Sequence, residues 1–256
     1  MVRVGDIVSG TVMEIGRSFG AAVRLDGELG AVTAGIGPLD VSWRVSRDEA
    51  VQVGRRVTAE VVGIDAQRVR LSLAATENPE LWRFLKGLRV GQVLAGVVAD
   101  IQPFGVFVAL EQGPPHPVYP GVGFVTIPEL SWRPIEQVTD VVQVGQQVHG
   151  AFLGFDTVNG EARMSLRALQ PDPFQLFADR AHLGQRLSGP VTRVLPIGVV
   201  IEVAEGVHGL LHKDELFKAP VDAPEQIVQG GDILQVAIAE LDHDRRRLRL
   251  SRAPIP

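Results

Sequence analysis

Short apolar runs, rich in valine and other β-branched residues and closed by glycine or charged residues, recur along the whole chain. In the middle of the chain, two such runs are separated by a short break that contains Pro103 and Gly105. Runs of this length that are bounded by turn residues predict β-strands. This pattern predicts five strands in the middle of the chain, at 93–99, 106–110, 123–127, 147–155 and 162–166.

The same landmarks occur three times along the sequence. Each unit opens on a Val-Gly or Leu-Gly pair, whose glycines are Gly5, Gly91 and Gly184. Each unit closes on the pattern Arg-Leu/Met-Ser, whose serines are Ser72, Ser165 and Ser251. The repeat predicts three tandem domains, at 1–74, 89–168 and 182–256. Five short strands leave two open sheet edges unless the sheet closes on itself, so we predict that each domain is a small closed β-barrel.

The two connectors between the units, 75–88 and 169–181, predict short helices. An N-cap residue followed by proline at the first helical position starts both of them, as Asn78-Pro79 and Asp172-Pro173. The apolar residues of each connector fall on one helical face, so we predict that Trp82 and Phe174 pack against a barrel. Trp43 and Trp132, which follow the third strand at matching places, are also predicted to pack rather than to stack on a ligand.

The middle unit is longer than the others because of a proline-rich insertion. Residues 113–120 read Gly-Pro-Pro-His-Pro-Val-Tyr-Pro, and a segment of this composition predicts a stiff loop, which we place at 111–121. A role in binding a partner and a purely structural role both stay open for this loop.

Composition excludes several functional classes. The chain has no cysteine, which excludes disulfides, thiolate catalysis and cysteine-ligated metals. The net charge is −5, so nucleic-acid contact would have to rest on local cations and on stacking. No apolar run is long enough to span a membrane, and the first residues lead directly into the first repeat. We therefore expect no signal peptide, no membrane contact and a cytoplasmic location.

No motif of an enzyme is found in the sequence. A phosphate-binding loop, a nucleophile elbow and a His-Glu-x-x-His motif are all missing, and the six histidines are scattered. A metal site needs clustered ligands. The sequence thus predicts a non-catalytic protein without a metal or another cofactor.

The order of landmarks resembles the domain family of bacterial ribosomal protein S1. The middle unit carries the resemblance best, through its Phe-Gly-Val-Phe-Val strand, the Glu-Leu-Ser-Trp segment after the third strand, and the closing Arg-Met-Ser-Leu strand. Three copies cover nearly the whole chain. The resemblance implies an all-β fold, with three tandem five-stranded OB-fold barrels joined by short helical linkers, and it implies binding of single-stranded RNA.

The resemblance also implies where RNA binds. In this family two aromatic residues at the start of the second strand, a histidine on the third, and an aspartate and an arginine flanking the last turn form the RNA face. The matching residues here are Phe19, Asp65 and Arg68 in the first unit, Phe104, Phe107 and Asp156 in the middle unit, and His212, Asp242 and Arg247 in the third.

No unit carries the full set. The residues that stand at the other positions are Ala22 and Thr33 in the first unit, Thr126 and Glu161 in the middle unit, and Ile197 and Val200 in the third. In the first unit Ala22 replaces the second aromatic residue and Thr33 the histidine. In the middle unit Glu161 replaces the arginine. This uneven set predicts weak binding with little sequence preference.

The physics of strands decides which rings can meet RNA. Phe107 alternates with Val106 and Val108, so its ring faces outward if the valines face the core. Phe104 has the opposite parity and joins that face only if Gly105 permits a bulge or bend. Core packing remains the alternative for both rings.

The charged candidates also have structural alternatives. Hydrogen bonds within a turn explain aspartates at these positions without RNA, and a solvated hairpin tip explains the run Arg245-Arg246-Arg247.

Two functions follow from these observations. The first is a non-catalytic protein that binds single-stranded RNA, either mRNA or rRNA, in translation or mRNA handling. The second is an adaptor whose barrels dock on the ribosome or on another translation protein, which the acidity and the incomplete RNA faces would favour.

Overall fold

A computed structural model of the protein describes residues 2–16, 20–27, 33–65, 68–216 and 228–252. Within these residues fifteen strands form three closed barrels of five strands each, so the predicted all-β fold is confirmed. Contacts divide the chain into two compact units, one with residues 1–130 and 136–169, the other with residues 131–135 and 170–256. The exact limits of the three sequence units stay a prediction.

The strands follow the predicted order. The first barrel has β1 (Ile7–Gly16), β2 (Gly20–Leu25), β3 (Thr33–Ile36), β4 (Arg56–Asp65) and β5 (Arg68–Ser72). The second has β6 (Val93–Gln102), β7 (Gly105–Leu110), β8 (Gly123–Thr126), β9 (Gln147–Asp156) and β10 (Glu161–Ser165). The third has β11 (Arg186–Leu195), β12 (Gly198–Ala204), β13 (Val207–His212), β14 (Ile233–Asp242) and β15 (Arg247–Arg252).

Each barrel closes in the same way. In the first barrel the strand order is β1-β2-β3-β5-β4, and β4 pairs back with β1. All pairs are antiparallel except the third with the fifth strand, which run parallel in every barrel. The first strand of each barrel is ten residues long and contains a register shift, at Val98/Asp100 in the second barrel. Such a bulge bends the strand, so one strand can pair with two neighbours around the barrel.

Every second residue of a strand points into its barrel, and these residues are mainly apolar, so they form the barrel cores. Along β7, Val106 and Val108 are fully buried in the barrel, and the same alternation buries Val12, Ile36 and Leu71 in the first barrel. No helix in the described ranges is long and apolar enough to cross a membrane.

Short helices lie between the strands. They are α1 (Arg47–Ala50), α2 (Ala74–Glu77), α3 (Pro79–Gly87), α4 (Pro173–Ala178) and α5 (Lys213–Leu216). At the start of α4 the Asp172 carboxylate accepts hydrogen bonds from the backbone N–H groups of Phe174 and Gln175, at 2.9 and 3.3 Å. Asn78 precedes α3 but its side chain makes no such bond. Trp82 and Phe174 are both buried, which confirms that they pack.

The first and second barrels, which belong to one compact unit, pack together around Trp43. The Trp43 side chain is only 8% exposed, and its Nε1–H donates to the carbonyl of Thr157 at 3.0 Å. Its ring lies 6.0 Å from that of Trp82. Gly160, at φ 72°, comes so close that an added Cβ would lie 2.7 Å from the indole. The predicted packing role of Trp43 is therefore confirmed.

In the second compact unit, Arg246 ties the last hairpin to α4. Its guanidinium forms a two-pronged contact with the Asp172 carboxylate, in which Nη2 lies 3.0 Å from Oδ1. The same group lies 4.6 Å from the ring centre of Trp132 and 5.0 Å from that of Phe174. This one member of the arginine run is therefore a structural residue rather than part of a solvated tip.

Replacing Arg246 by alanine is expected to lower the free energy of unfolding by about 1–2 kcal/mol, because the ion pair and both cation–π contacts are lost. Urea denaturation measures the change. Arg245→Ala, an exposed neighbour in the same turn, is the control and should change stability by less than about 0.5 kcal/mol. Equal effects of the two changes would contradict the structural role.

Candidate nucleic-acid interface

Three phenylalanines form one outer face of the second barrel. Phe107 points away from the buried Val106 and Val108, as the alternation predicts. It stands opposite Phe124 in the pairing of β7 with β8, and the two ring centres are 4.9 Å apart. The start of the second strand and the third strand thus present their rings on the same side.

Phe104 joins this face from the turn before β7. Its ring stacks on Phe124 at 5.9 Å and meets Phe107 edge-on at 6.3 Å. No register shift occurs at Gly105, so of the two conditions, a bulge or a bend, the bulge is not what turns Phe104 outward. Glycine is required there for a different reason, because a Cβ at Gly105 would lie 2.4 Å from the Phe124 ring. The Phe104 ring is 61% exposed and is open to a stacking base.

The expectation that Phe107 offers an exposed ring is wrong. Its side chain is only 4% exposed, although it lies outside the barrel wall. The reason is Tyr119 of the proline-rich loop, whose ring stacks on Phe107 at 5.1 Å and 19°. Phe107 therefore packs beneath the other rings of the face rather than against solvent. Of the three phenylalanines, Phe104 is the one that is open to a base.

His116 holds the proline-rich loop in place. Its Nδ1 accepts hydrogen bonds from the backbone N–H groups of Val118 and Tyr119, at 3.1 and 2.9 Å. Its Nε2 then carries the proton and donates to the carbonyl of Asn159 at 2.8 Å. Burial lowers the pKa of His116, which favours this neutral form, although the bond to Asn159 opposes the shift. The His116 ring also stacks on Tyr119 at 4.8 Å.

A charged cluster lies beside the rings. Asp156 accepts two hydrogen bonds from Arg163, the shorter one 2.5 Å from Nη2, and the guanidinium of Arg163 lies 4.7 Å from the Phe124 ring centre. Partial burial raises the pKa of Asp156, but the bonds from Arg163 and from the turn backbone together lower it below its usual range. Asp156 also accepts from the N–H groups of Val158 and Asn159, so its turn-forming role is real.

Glu161, which replaces the arginine implied by the resemblance, is buried in this cluster. Its side chain is 4% exposed, and Oε2 accepts no hydrogen bond from the described residues. Burial raises the pKa of Glu161 to about 7, although the nearby Arg163 opposes the shift. The four rings line an open pocket of about 310 Å³ together with Thr126, Asn159, Glu161 and Arg163.

The first barrel keeps cations but has fewer rings. Phe19 lies outside the described residues. Asp65 and Arg68 are exposed and face each other across the β4–β5 pair. Ala22 pairs with Gly35 where the second barrel pairs Phe107 with Phe124, so the described part of this face has no ring there.

The match of Thr33 to the family histidine is wrong. In the β2–β3 register, Ala21 pairs with Ile36, and Thr33 pairs with Arg24 at the far end of the strand. Continuing this register places Gly37 opposite Gly20, which is the position that Thr126 has in the second barrel. The register of this strand is set by its hydrogen-bonded partners across the barrel, which the local sequence does not show.

On the corresponding face of the third barrel, the candidate residues are polar and charged side chains rather than phenylalanines. His212 pairs with Gly198 at the position of Thr126, and its Nδ1 lies 3.1 Å from an Asp214 carboxylate oxygen. Asp242 pairs with Arg247 and accepts a turn hydrogen bond from the N–H of Arg245.

The third-barrel candidates do not form one tight cluster. Leu210 pairs with Arg249, so His212 and Arg247 share a face but lie four positions apart, about 13 Å along the strands. Arg249 lies closer to His212 than Arg247 does. Ile197 and Val200 occupy the positions of Phe104 and Phe107, and Ile197 is exposed.

Three residues of the second-barrel face were not predicted as site residues. Phe124 and Arg163 lie on strands that were predicted, and pairing Phe107 with its opposite residue would have identified Phe124. Tyr119 had no such signal, because the loop that carries it is irregular and its position depends on tertiary contacts.

Comparison with known proteins gives the family context of these sites. The family described as S1 RNA binding domain matches residues 2–75, 88–167 and 180–253. The small ribosomal subunit protein bS1 of Mycolicibacterium smegmatis is 34% identical over 253 residues, covering 96% of this chain and 50% of that protein. The protein of the same name from Neisseria meningitidis is 30% identical over 254 residues, covering 96% of this chain and 43% of that protein. The chain thus spans about half the length of the curated relatives it matches.

Proposed function

We propose that this chain, which belongs to the S1 RNA-binding domain family, binds single-stranded RNA without catalysing a reaction on it. We further propose that it acts in the cytoplasm, in translation or mRNA handling, on mRNA or rRNA and in association with the ribosome. The observation that carries the proposal is the face of the second barrel, where the open ring of Phe104 lies over Phe124 and the Arg163 guanidinium covers the same ring.

The three barrels between them supply the two interactions that single-stranded RNA requires. A base stacks on an exposed aromatic ring for about 1–3 kcal/mol, and cations at the rim meet the phosphates. In the other barrels the cations predominate, with Arg68 and Arg70 in the first and Arg247 and Arg249 in the third, all exposed. These exposed cations support contacts to the RNA backbone, and the open ring of the second barrel supports stacking.

Replacing Phe104 by alanine is expected to weaken binding of a labelled oligouridine by about 1–3 kcal/mol, because the stacking ring is removed. Fluorescence anisotropy at low ionic strength measures the affinity. Stability should hardly change, since the ring is mostly exposed. Phe107→Ala should weaken binding as well, but with a clear loss of stability, because that ring is buried under Tyr119.

Val144→Ala is the control for this experiment, because Val144 is an exposed apolar residue of the same barrel outside the aromatic face. The control should bind as the unchanged chain does. The proposal fails if the unchanged chain shows no saturable, salt-sensitive binding. The docking role stays a hypothesis, which a pull-down from RNase-treated lysate would test.

A further inference from the structure

Glu161 gives the second barrel a feature that the other two barrels lack. The matching residues are Arg68 and Arg247, which pair across the last turn with Asp65 and Asp242 as Glu161 pairs with Asp156. A carboxylate at this place adds no contact to a phosphate. Its Oε2 is buried and receives no hydrogen bond from the described residues, although the Arg163 guanidinium lies within ion-pair distance and the Asn159 side chain interacts with the carboxylate. A ligand that brings an N–H donor would give this buried oxygen the hydrogen bond that it lacks.

A donor lies directly beside this acceptor. The Arg163 Nη2 is 3.5 Å from Glu161 Oε2. Two nitrogens of Arg163 bond to Asp156, whereas its Nη1 makes no hydrogen bond to the described residues. An acceptor and a donor therefore stand next to each other on the wall of a pocket of about 310 Å³, whose other walls are mainly aromatic rings. Flat rings with a few fixed polar groups at one edge suit a planar heterocycle.

We infer that this pocket binds a guanine base of single-stranded RNA, an inference that rests on the proposed function. The base stacks on Phe104, its N1–H and N2 amino group donate to Glu161, and its O6 accepts from Arg163. Guanine is the one standard base with two adjacent N–H donors beside a carbonyl oxygen on its pairing edge. Adenine and cytosine offer one amino group beside a ring nitrogen, and uracil offers a single N–H.

Entry of the base requires one rearrangement. Glu161 Oε2 has almost no solvent exposure in the free chain, so a side chain has to leave the pocket. Tyr119 is the side chain that can make room, because its ring is held by stacking on Phe107 and His116 and its hydroxyl makes no hydrogen bond to the described residues. The incoming base then occupies the place of the tyrosine ring. Stacked on Phe104, it meets Phe107 edge-on, because these two rings stand at 88° to each other.

The test compares bases at one position in a fixed background. The full chain is titrated with labelled oligouridine of about nine nucleotides, and with the same oligomer carrying one central guanosine, inosine, adenosine or cytidine. Titrations run at about pH 8, where Glu161 is mostly ionised. We expect the guanosine oligomer to bind about tenfold tighter than oligouridine. Inosine, which lacks the N2 amino group, should fall between them, and adenosine and cytidine should give no gain.

Glu161→Gln separates recognition of the base from binding of RNA in general. Glutamine keeps the shape but offers one acceptor oxygen instead of two to the adjacent donors of guanine, so the gain for guanosine should fall to about twofold or less while oligouridine affinity stays within about twofold. Glu136→Gln makes the same charge change at an exposed position of the same barrel and should keep the gain.

Equal affinity for all five oligomers, a preference for adenosine or cytidine, or a guanosine gain that survives Glu161→Gln would overturn the inference and leave RNA binding standing. Failure of plain oligouridine and of every other oligomer to bind would overturn the proposed function, and the inference with it.

Discussion

Replacing Trp43 by alanine is expected to lower the free energy of unfolding by about 3–5 kcal/mol, because a large buried ring and its surroundings are lost together. The indole fills the contact between the first and second barrels, donates to the Thr157 carbonyl at 3.0 Å, and packs near Trp82 and His116. The change leaves a cavity between two barrels that are each closed on themselves. We therefore expect the two barrels to unfold in separate steps in the variant and in one step in the unchanged chain.

Urea denaturation followed by tryptophan fluorescence and by circular dichroism measures both effects. Trp43→Phe keeps most of the ring and loses the Nε1–H donor, so it should cost about 1–2 kcal/mol and leave a single transition. Leu39→Ala, at an exposed position that precedes Trp43 closely in the chain, should be nearly neutral. A Trp43→Ala chain as stable as Leu39→Ala would show that the two barrels do not depend on this contact.

Glu161→Gln is expected to stabilise the protein at alkaline pH by at most about 3 kcal/mol. In the folded chain burial raises the pKa of Glu161 to about 7 from an ordinary value of 4.5. Between these two values the folded state holds a proton that the unfolded state has released. The stability of the unchanged chain therefore falls as the pH rises from about 4.5 to about 7, and the penalty is fully present above pH 7.

The measurement is the difference in unfolding free energy between Glu161→Gln and the unchanged chain, taken at several pH values. The difference removes the contributions of other titrating groups, including His116, whose pKa is lowered by burial and which acts in the opposite direction. The difference should be small near pH 4.5 and should grow until about pH 7. A difference that stays constant with pH would mean that Glu161 is ionised in the folded chain throughout this range.

Much of the fold could be predicted because it depends on local patterns. Strand alternation identified Val106 and Val108 as core residues and Phe107 as an outward ring, and the proline after Asp172 marked the start of α4. These features depend on residues that are neighbours in sequence. The same logic failed for Thr33, since the register of a short strand is decided by its partners across the barrel.

The candidate site was less predictable because its surface is assembled from distant segments. Nothing near Phe107 in sequence indicates that Tyr119 covers it, since that contact depends on how His116 folds the proline-rich loop. Glu161 was identified as a departure from the family, but its burial follows from the packing of Asp156 and Arg163 around it. Open and covered rings of one face could be told apart only in three dimensions.

The pairing of the fifth strand with both the third and the fourth strand determines when each barrel can close during synthesis. In the first barrel, β5 pairs with both β3 and β4, so a sheet that lacks β5 has two free edges. The unpaired backbone groups of such edges can pair with other chains, and the barrel covers them only when its final strand pairs with both edges. During synthesis from the N-terminus, each barrel therefore stays open until its last five or six residues have left the ribosome. Because the final strands end at Ser72, Ser165 and Arg252, we expect the three barrels to close one after another during synthesis.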